Sequence, residues 1–483
     1  VKASETEKSP KRRAAFGLGN SDTARPRYFR DEPGGRREVI KIAGPLILAT
    51  GSLTLTLFVD RLFLAWHSEA AVAAASPAGI TYFTLCSLFM GTAQYVNSIV
   101  AQFHGAGDRP ACARAVWQGV FFAAMSAPFI LACIPVGWWI FTWSAHGEKL
   151  IELEQDYYTM LMLGGLFLPM NAALSSFFSG RGKTWTILWG NALANGVNMV
   201  LAYVLIFGKL GFPELGIRGA GIATAVSQVC PVLYWGYLFL APRHQEAYET
   251  RRQFRWDRGL FQLIIRYGLP AGLQLFLDVA AFALFVLLVG RLGERDLAVS
   301  NIVVSIEMLS FLPMWGMSIA TATMVGQYVG ADKLQLAEKS VRSALTLALA
   351  YMGVMALCFL LFPAVFLELF RSGAHSEEGF QEIVTKGAVI LRLVAVYSLF
   401  DTLFIIYSGA LKGAGDTRFA MWAQVLLAWF VFVPPVYALI HYFDASLTTA
   451  WTWSVVYVIL LGLVFRTRYR TGLWKQIRML NHA

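Results

Sequence analysis

Residues 102–108 read QFHGAGD and residues 327–332 read QYVGAD, each where a long apolar stretch ends. Gln102 and Gln327 stand 225 positions apart, and so do Gly105 and Gly330, and Ala106 and Ala331. The same offset pairs Pro45 with Pro270, Gly91 with Gly316 and Val100 with Val325. At an offset of 233, Gly180, Gly182 and Thr184 pair with Gly413, Gly415 and Thr417. Small residues recur wherever helices turn, but three blocks in the same order point to a duplicated chain. The added 8 positions fit a longer loop around 371–383.

What is duplicated is a set of membrane spans. Of the 483 residues, 57% are hydrophobic and only 14% charged, with a mean hydropathy of +0.55. A soluble domain carries about 25% charged residues. Apolar runs longer than about 18 residues add the signature of spanning helices, and the short alternating segments of membrane barrels are missing. Six hydrophobic segments fall at 39–66, 70–102, 112–143, 151–178, 185–207 and 217–241. Six more fall at 260–290, 297–327, 341–367, 384–411, 419–442 and 447–465. The predicted fold is therefore an all-α integral membrane protein of twelve transmembrane helices in two pseudo-symmetric six-helix lobes. An even number of spans per repeat makes the repeats parallel, related by an axis along the membrane normal.

The expected organisation is a disordered basic tail at 1–38, an N-terminal lobe at 39–242, a linker at 243–258, a C-terminal lobe at 259–466 and a tail at 467–483. With both tails inside, 31 of the 40 Lys and Arg residues fall on the inner side and 7 on the outer. The acids show no such bias, 13 lying on each side. That is the positive-inside pattern, so both termini are expected in the cytoplasm and the chain in the plasma (inner) membrane. The net charge of +10 then records topology rather than nucleic-acid binding. Both loops of the opening motif read as turns whose glycines ease helix ends, with Asp108 and Asp332 as caps of the helices that follow.

Only four acids lie within spans: Asp60, Asp278, Glu307 and Asp401. An ionised carboxylate is costly there, which makes each a functional candidate. Asp278 lies 12 residues past Arg266, and Asp401 lies 11 before Lys412. Both thus sit roughly 17–18 Å from the inner surface, near the midplane. Two carboxylates from different helices at one depth are able to hold one cation between them. Asp60 sits higher, in the N-terminal lobe, with Arg61 beside it as a rival partner. Glu307 is a candidate for lining a cavity. Arg392 either snorkels outward or neutralises a neighbour. The acids do not follow the repeat, since Phe285 stands where Asp60 would recur.

At its motifs the chain resembles the multidrug and toxic compound extrusion (MATE) family, NorM-like branch. The resemblance is carried by IAGPLILATGSLTLTLFVDRLFLAW (42–66), the two Gln…Gly-Ala loops and GNALANGVNMVLAYVLIFGKLGFPELGIRGAGIAT (190–224). GLPAGLQLFLD (268–278) and FDTLFIIYSGALKGAGDT (400–417) complete it. The resemblance implies export of cationic or amphipathic toxic organic compounds in exchange for sodium ions or protons, by rocking of two lobes about a site between them. It implies Asp278, Asp401 and Tyr397 as a cation site, with Asp278 and Asp401 as ligands for sodium. Asp60, Asn198 and Thr224 match a second candidate cation or proton site. There the chain departs from archaeal-type members, with Ala202 in place of an aspartate, which favours the C-terminal pair for coupling, with sodium ahead of protons.

No cofactor is expected, and the chain is expected to act alone, as a monomer. GKT at 182–184 is no P-loop, since Phe177 occupies the position of the required glycine. HExxH, a nucleophile elbow and a cluster of histidines in the spans are all missing, so an enzyme is not expected. The alternative is a flippase for a lipid-linked precursor on a related two-lobed scaffold. Such a flippase calls for a basic central cavity, whereas the spans here hold four acids against two arginines.

Overall fold

The computed structural model describes residues 32–143, 147–371 and 377–482; most of the expected tail, residues 1–31, lies outside them. Twelve helical rods carry the chain back and forth. The N-terminal lobe comprises α1 (Arg36–His67), then α2 (Glu69–Ala106), α3 (Arg109–Thr142), α4 (Glu148–Ser179), α5 (Thr184–Phe207) and α6 (Gly216–Phe239). The C-terminal lobe comprises α7 (Arg258–Gly290), α8 (Glu294–Gly330), α9 (Leu334–Leu361), α10 (Phe380–Ala414), α11 (Thr417–Tyr442) and α12 (Leu447–Arg470). Among the described residues eleven helices, α2 to α12, are long and apolar enough to cross a membrane; α1 is a twelfth long helix, of 32 residues. Their outer faces bear exposed Phe58, Trp66, Trp139 and Leu287, the side chains a lipid tail would meet.

Proline shapes several rods. A proline has no N–H to give the carbonyl four residues back. In α7 the turn ahead of Pro270 widens to a π-turn over Ile264–Gly268, and in α11 the turn ahead of Pro434 does the same over Leu427–Phe432. Such local bulges let a helix bend without breaking.

Between the lobes, a short helix (Pro242–Tyr248) and the turn after it are fastened to α3. Trp117 Nε1 donates to the Thr250 carbonyl (2.7 Å) and Gln118 Nε2 to that of Arg255 (2.8 Å). Arg114 pairs with Asp257 at 3.3 Å. Within this linker, His244 Nδ1 lies 2.6 Å from the Leu238 carbonyl. Burial first, then the nearby Arg181 and Arg243 guanidinium groups, push the His244 imidazole below its usual range. A base held neutral in the fold binds fewer protons than the unfolded chain. Stability contributed here is present above about pH 6.5 and is lost as pH falls further. The protection factors of amides 243–250, which divide out the intrinsic pH dependence of exchange, are expected to fall between pH 7 and pH 5 in wild type, and to lose that fall in His244→Gln.

The lobes meet along α1 and α2 on one side and α7 and α8 on the other, α1 packing on α8 and α2 on α7. Near the termini one continuous apolar core runs through both lobes, from Val39, Val96 and Val100 to Met324, Val325 and Leu411. Towards the far end the N-terminal lobe has a core of its own, around Leu64, Ala74, Tyr158 and Ile206. The lobes therefore share packing at the terminus end and separate towards the other.

Candidate cation sites in the two lobes

In the C-terminal lobe, α7 presents Asp278 half-buried towards α11. Gln424, on α11 and fully buried, donates from Nε2 to Asp278 Oδ1 (2.5 Å) and to Tyr457 Oη of α12 (3.0 Å). That geometry fixes the amide orientation, because an oxygen facing the carboxylate would be repelled. The other end of the amide, Gln424 Oε1, is then buried without a hydrogen-bond partner among the described residues. So is Oε1 of Gln274, one turn before Asp278 on α7 and 3% exposed. Buried acceptors without donors are rare, and two of them flank this carboxylate.

Across the same lobe, Tyr397 of α10 donates a short hydrogen bond to Glu307 Oε1 of α8. Asp401 lies one turn further along α10, half-buried, within electrostatic reach of both Glu307 and Asp278. The three acids, with Tyr397, thus belong to one polar interior of the lobe, contributed by α7, α8 and α10. The sequence-level expectation put Tyr397 beside the two aspartates; its hydroxyl is in fact engaged by Glu307.

In the N-terminal lobe, Asp60 is 6% exposed and Asn198 2%. Asn198 adjoins Asp60 and donates to Thr224 Oγ1 at 3.2 Å. Asp60 Oδ1 and Asn198 Oδ1 are both buried without hydrogen-bond partners among the described residues. Arg61 is exposed and pairs with nothing among the described residues, which removes it as Asp60's partner. Ala202 is wholly buried, so the position adjoining this group offers a methyl and no oxygen. Arg392 is exposed on α10, the arrangement of a snorkelling side chain. Among the described residues no three His, Cys, Asp or Glu side chains converge as a metal cluster. Any ion here must draw on amide and hydroxyl oxygens as well as carboxylates.

Gln274, Gln424 and Tyr457 had no sequence signal, since a neutral polar residue in an apolar span reads like any tolerated one. The turns behave as two different devices. Asp108 caps α3 through Ala111 N (3.0 Å), and Gly107, at φ +82°, makes the left-handed turn. Asp332 does not cap; it adopts φ +55° itself and pairs with Arg478 at 3.0 Å.

Two six-helix lobes with carboxylates sequestered inside each define a polytopic transporter of the MATE fold. The MatE family model matches residues 45–204 and 270–439, once in each lobe; the chain belongs to this family. It is 25% identical over 449 residues to the "Probable multidrug resistance protein NorM" of Thermotoga maritima, covering 92% of this chain and 94% of that one. Among solved structures it is similar to a MATE in complex with MaL6, at TM-score 0.82 and 22% identity, over 93% of this chain and 99% of that one. It is also similar to an outward-facing multidrug resistance MATE transporter, at TM-score 0.80 and 21% identity, over 92% of this chain and 96% of that one.

Proposed function

We propose that this chain is a secondary antiporter that exports cationic or amphipathic organic compounds in exchange for sodium ions or protons by alternating access, with sodium the favoured coupling ion. The terminus end is read as cytoplasmic and the chain as a monomer in the plasma membrane. The observation that carries the reading is the interior of the C-terminal lobe. Asp278, Glu307 and Asp401 all lie half-buried there, and the span arginines Arg61 and Arg392 face outward. Among the described residues Lys412 is the one base within electrostatic reach of Asp278, so three acids face one base, and an interior of net negative sign attracts cations and repels the pyrophosphate of a lipid-linked precursor.

Coupling follows from competition for the same charge. A hard cation at Asp278 would draw on that carboxylate and on Gln274, one turn before it on α7, whose Oε1 lacks a partner among the described residues; Gln424, which turns its Nε2 to Asp278, would have to flip to add its own oxygen. A proton on Asp401 or Glu307 has the same electrostatic consequence. Either event cancels the negative charge that holds a cationic cargo, so ion entry and cargo release accompany one another. Asp60, Asn198 and Thr224 form a second, smaller candidate, which lacks the extra carboxylate that would complete it. Glu307 is assigned to the cavity wall, where Tyr397 orients it.

The test is efflux of a fluorescent organic cation from proteoliposomes under an imposed sodium or proton gradient. Sodium-driven efflux at least severalfold above the no-gradient control is expected. Failure of both gradients would sink the antiporter reading, and transport of a lipid-linked oligosaccharide would put the flippase in its place.

A further inference from the structure

The stretch written twice in the sequence is where the lobes touch. Gln102, 1% exposed at the end of α2, donates from Nε2 to the Gly413 carbonyl of the other lobe at 2.9 Å. Gln327, its counterpart at the end of α8, donates to the Gly180 carbonyl of the first lobe at 2.7 Å. Donors 225 apart thus reach acceptors 233 apart, and both repeat offsets meet in one symmetric pair of cross-lobe bonds. The glycines are reciprocal as well. A Cβ on Gly105 would collide with the Gln327 carbonyl, and a Cβ on Gly330 with that of Gln102. These two glycines, which the sequence suggested as turn-formers, sit within the helices and allow backbone-to-backbone contact across the boundary.

Neighbouring contacts close the same end. Asn97 Nδ2 donates to Thr323 Oγ1 (3.0 Å), and Tyr95 Oη to the Lys412 carbonyl (3.1 Å). The segment leading into α1 crosses over too. Gly34 N donates to Tyr328 Oη (2.8 Å), which in turn donates to Glu38 (2.7 Å), while Ser343 Oγ bonds the Gly34 carbonyl (2.9 Å).

We propose that the paired Gln…Gly segments, 102–105 and 327–330, are the gate at the terminus end of the transport path, two amide latches over two glycine seats. Both latches must release for this end to open. The proposal rests on the alternating-access part of the function above, though not on which ion drives it. The two latches act together with the other cross-lobe bonds and the shared apolar core at this end, and each, being neutral, is modest on its own. Each bond is worth about a fivefold bias between closed and open. The glycine seats set the register, since no side chain fits between the touching backbones.

The test uses the full chain in lipid nanodiscs, its five cysteines replaced, with spin labels at Arg109→Cys and Lys333→Cys, exposed positions on opposite lobes. The unaltered gate is expected to give one dominant short distance. Gln102→Leu with Gln327→Leu, which nearly preserves volume, should enlarge the long-distance population by about 25-fold, the product of the two latches. Gly105→Ala with Gly330→Ala should abolish the short distance. Distributions unchanged in both pairs would overturn the gate. A reducible bifunctional thiol reagent bridging the same two cysteines should arrest efflux until reduced; unimpeded efflux after bridging would equally overturn it. If neither ion gradient drives efflux while the distances shift as expected, the coupling reading fails and the gate stands.

Discussion

Asp278→Asn and Asp401→Asn are each expected to reduce gradient-driven efflux to the no-gradient background while the protein still folds and inserts. Folding is spared because asparagine keeps an acceptor for Gln424 Nε2, which holds Asp278 Oδ1 at 2.5 Å. Only the charge is removed. A unit charge pair at about 4 Å and an effective dielectric of about 20 is worth about 4 kcal/mol, roughly a thousandfold in ion occupancy. Asp60→Asn, in the lobe where Ala202 supplies no second carboxylate, is expected to leave gradient-driven efflux within about threefold of wild type. Glu307→Gln still accepts from Tyr397, so its effect should fall on the cargo's apparent affinity, with maximal flux changed less. Full coupled efflux in Asp278→Asn or Asp401→Asn removes that residue from the ion site. Coupling lost in Asp60→Asn moves the ion to the N-terminal lobe.

Duplication and hydropathy were legible because both are written in long registers. The twelve rods needed only apolar stretches, and the two lobes only matched offsets of small residues. Depth was read from the constant rise of a helix, which puts Asp278 and Asp401 at one expected level. What stayed hidden was rotation. Each rod here is apolar on nearly every side, so periodicity does not say which face turns inward. Hence Glu307, of open orientation in the sequence, proves to be bonded by Tyr397, 90 positions away on another helix. Hence also Gln424 was missed, although it holds both Asp278 and Tyr457. Gly105 shows the same limit from another side. A glycine near a helix end suggests a turn, yet Gly107 makes the turn and Gly105 admits the Gln327 backbone.

Arg468→Ala is expected to be the most destabilising single change at the terminus end. Asp416 begins α11 with its side chain 7% exposed and accepts two bonds from the Arg468 guanidinium of α12, at 2.8 and 3.3 Å. The same guanidinium lies 4.7 Å from the Phe419 ring. The pair therefore ties the turn after α10 to the last turns of α12, beside the Gly413 carbonyl that receives Gln102. Asp416 is buried and Arg468 partly so, at 24% exposed; removing the guanidinium leaves the carboxylate without its partner, at a cost of about 1–3 kcal/mol. Removing both leaves no orphan charge, so Arg468→Met combined with Asp416→Leu should recover a large part of that loss. The turn after α4 carries Lys183 where Asp416 stands after α10, so only the C-terminal lobe is braced this way. Thermal unfolding in detergent, followed by thiol exposure of the buried Cys86 and Cys112 together with near-ultraviolet dichroism, reads the effect. An Arg468→Ala midpoint within about 1 °C of wild type would mean that the pair is solvated and contributes as little as an ordinary surface bridge. A double variant no more stable than Arg468→Ala would place the loss in packing on Phe419 rather than in the stranded carboxylate.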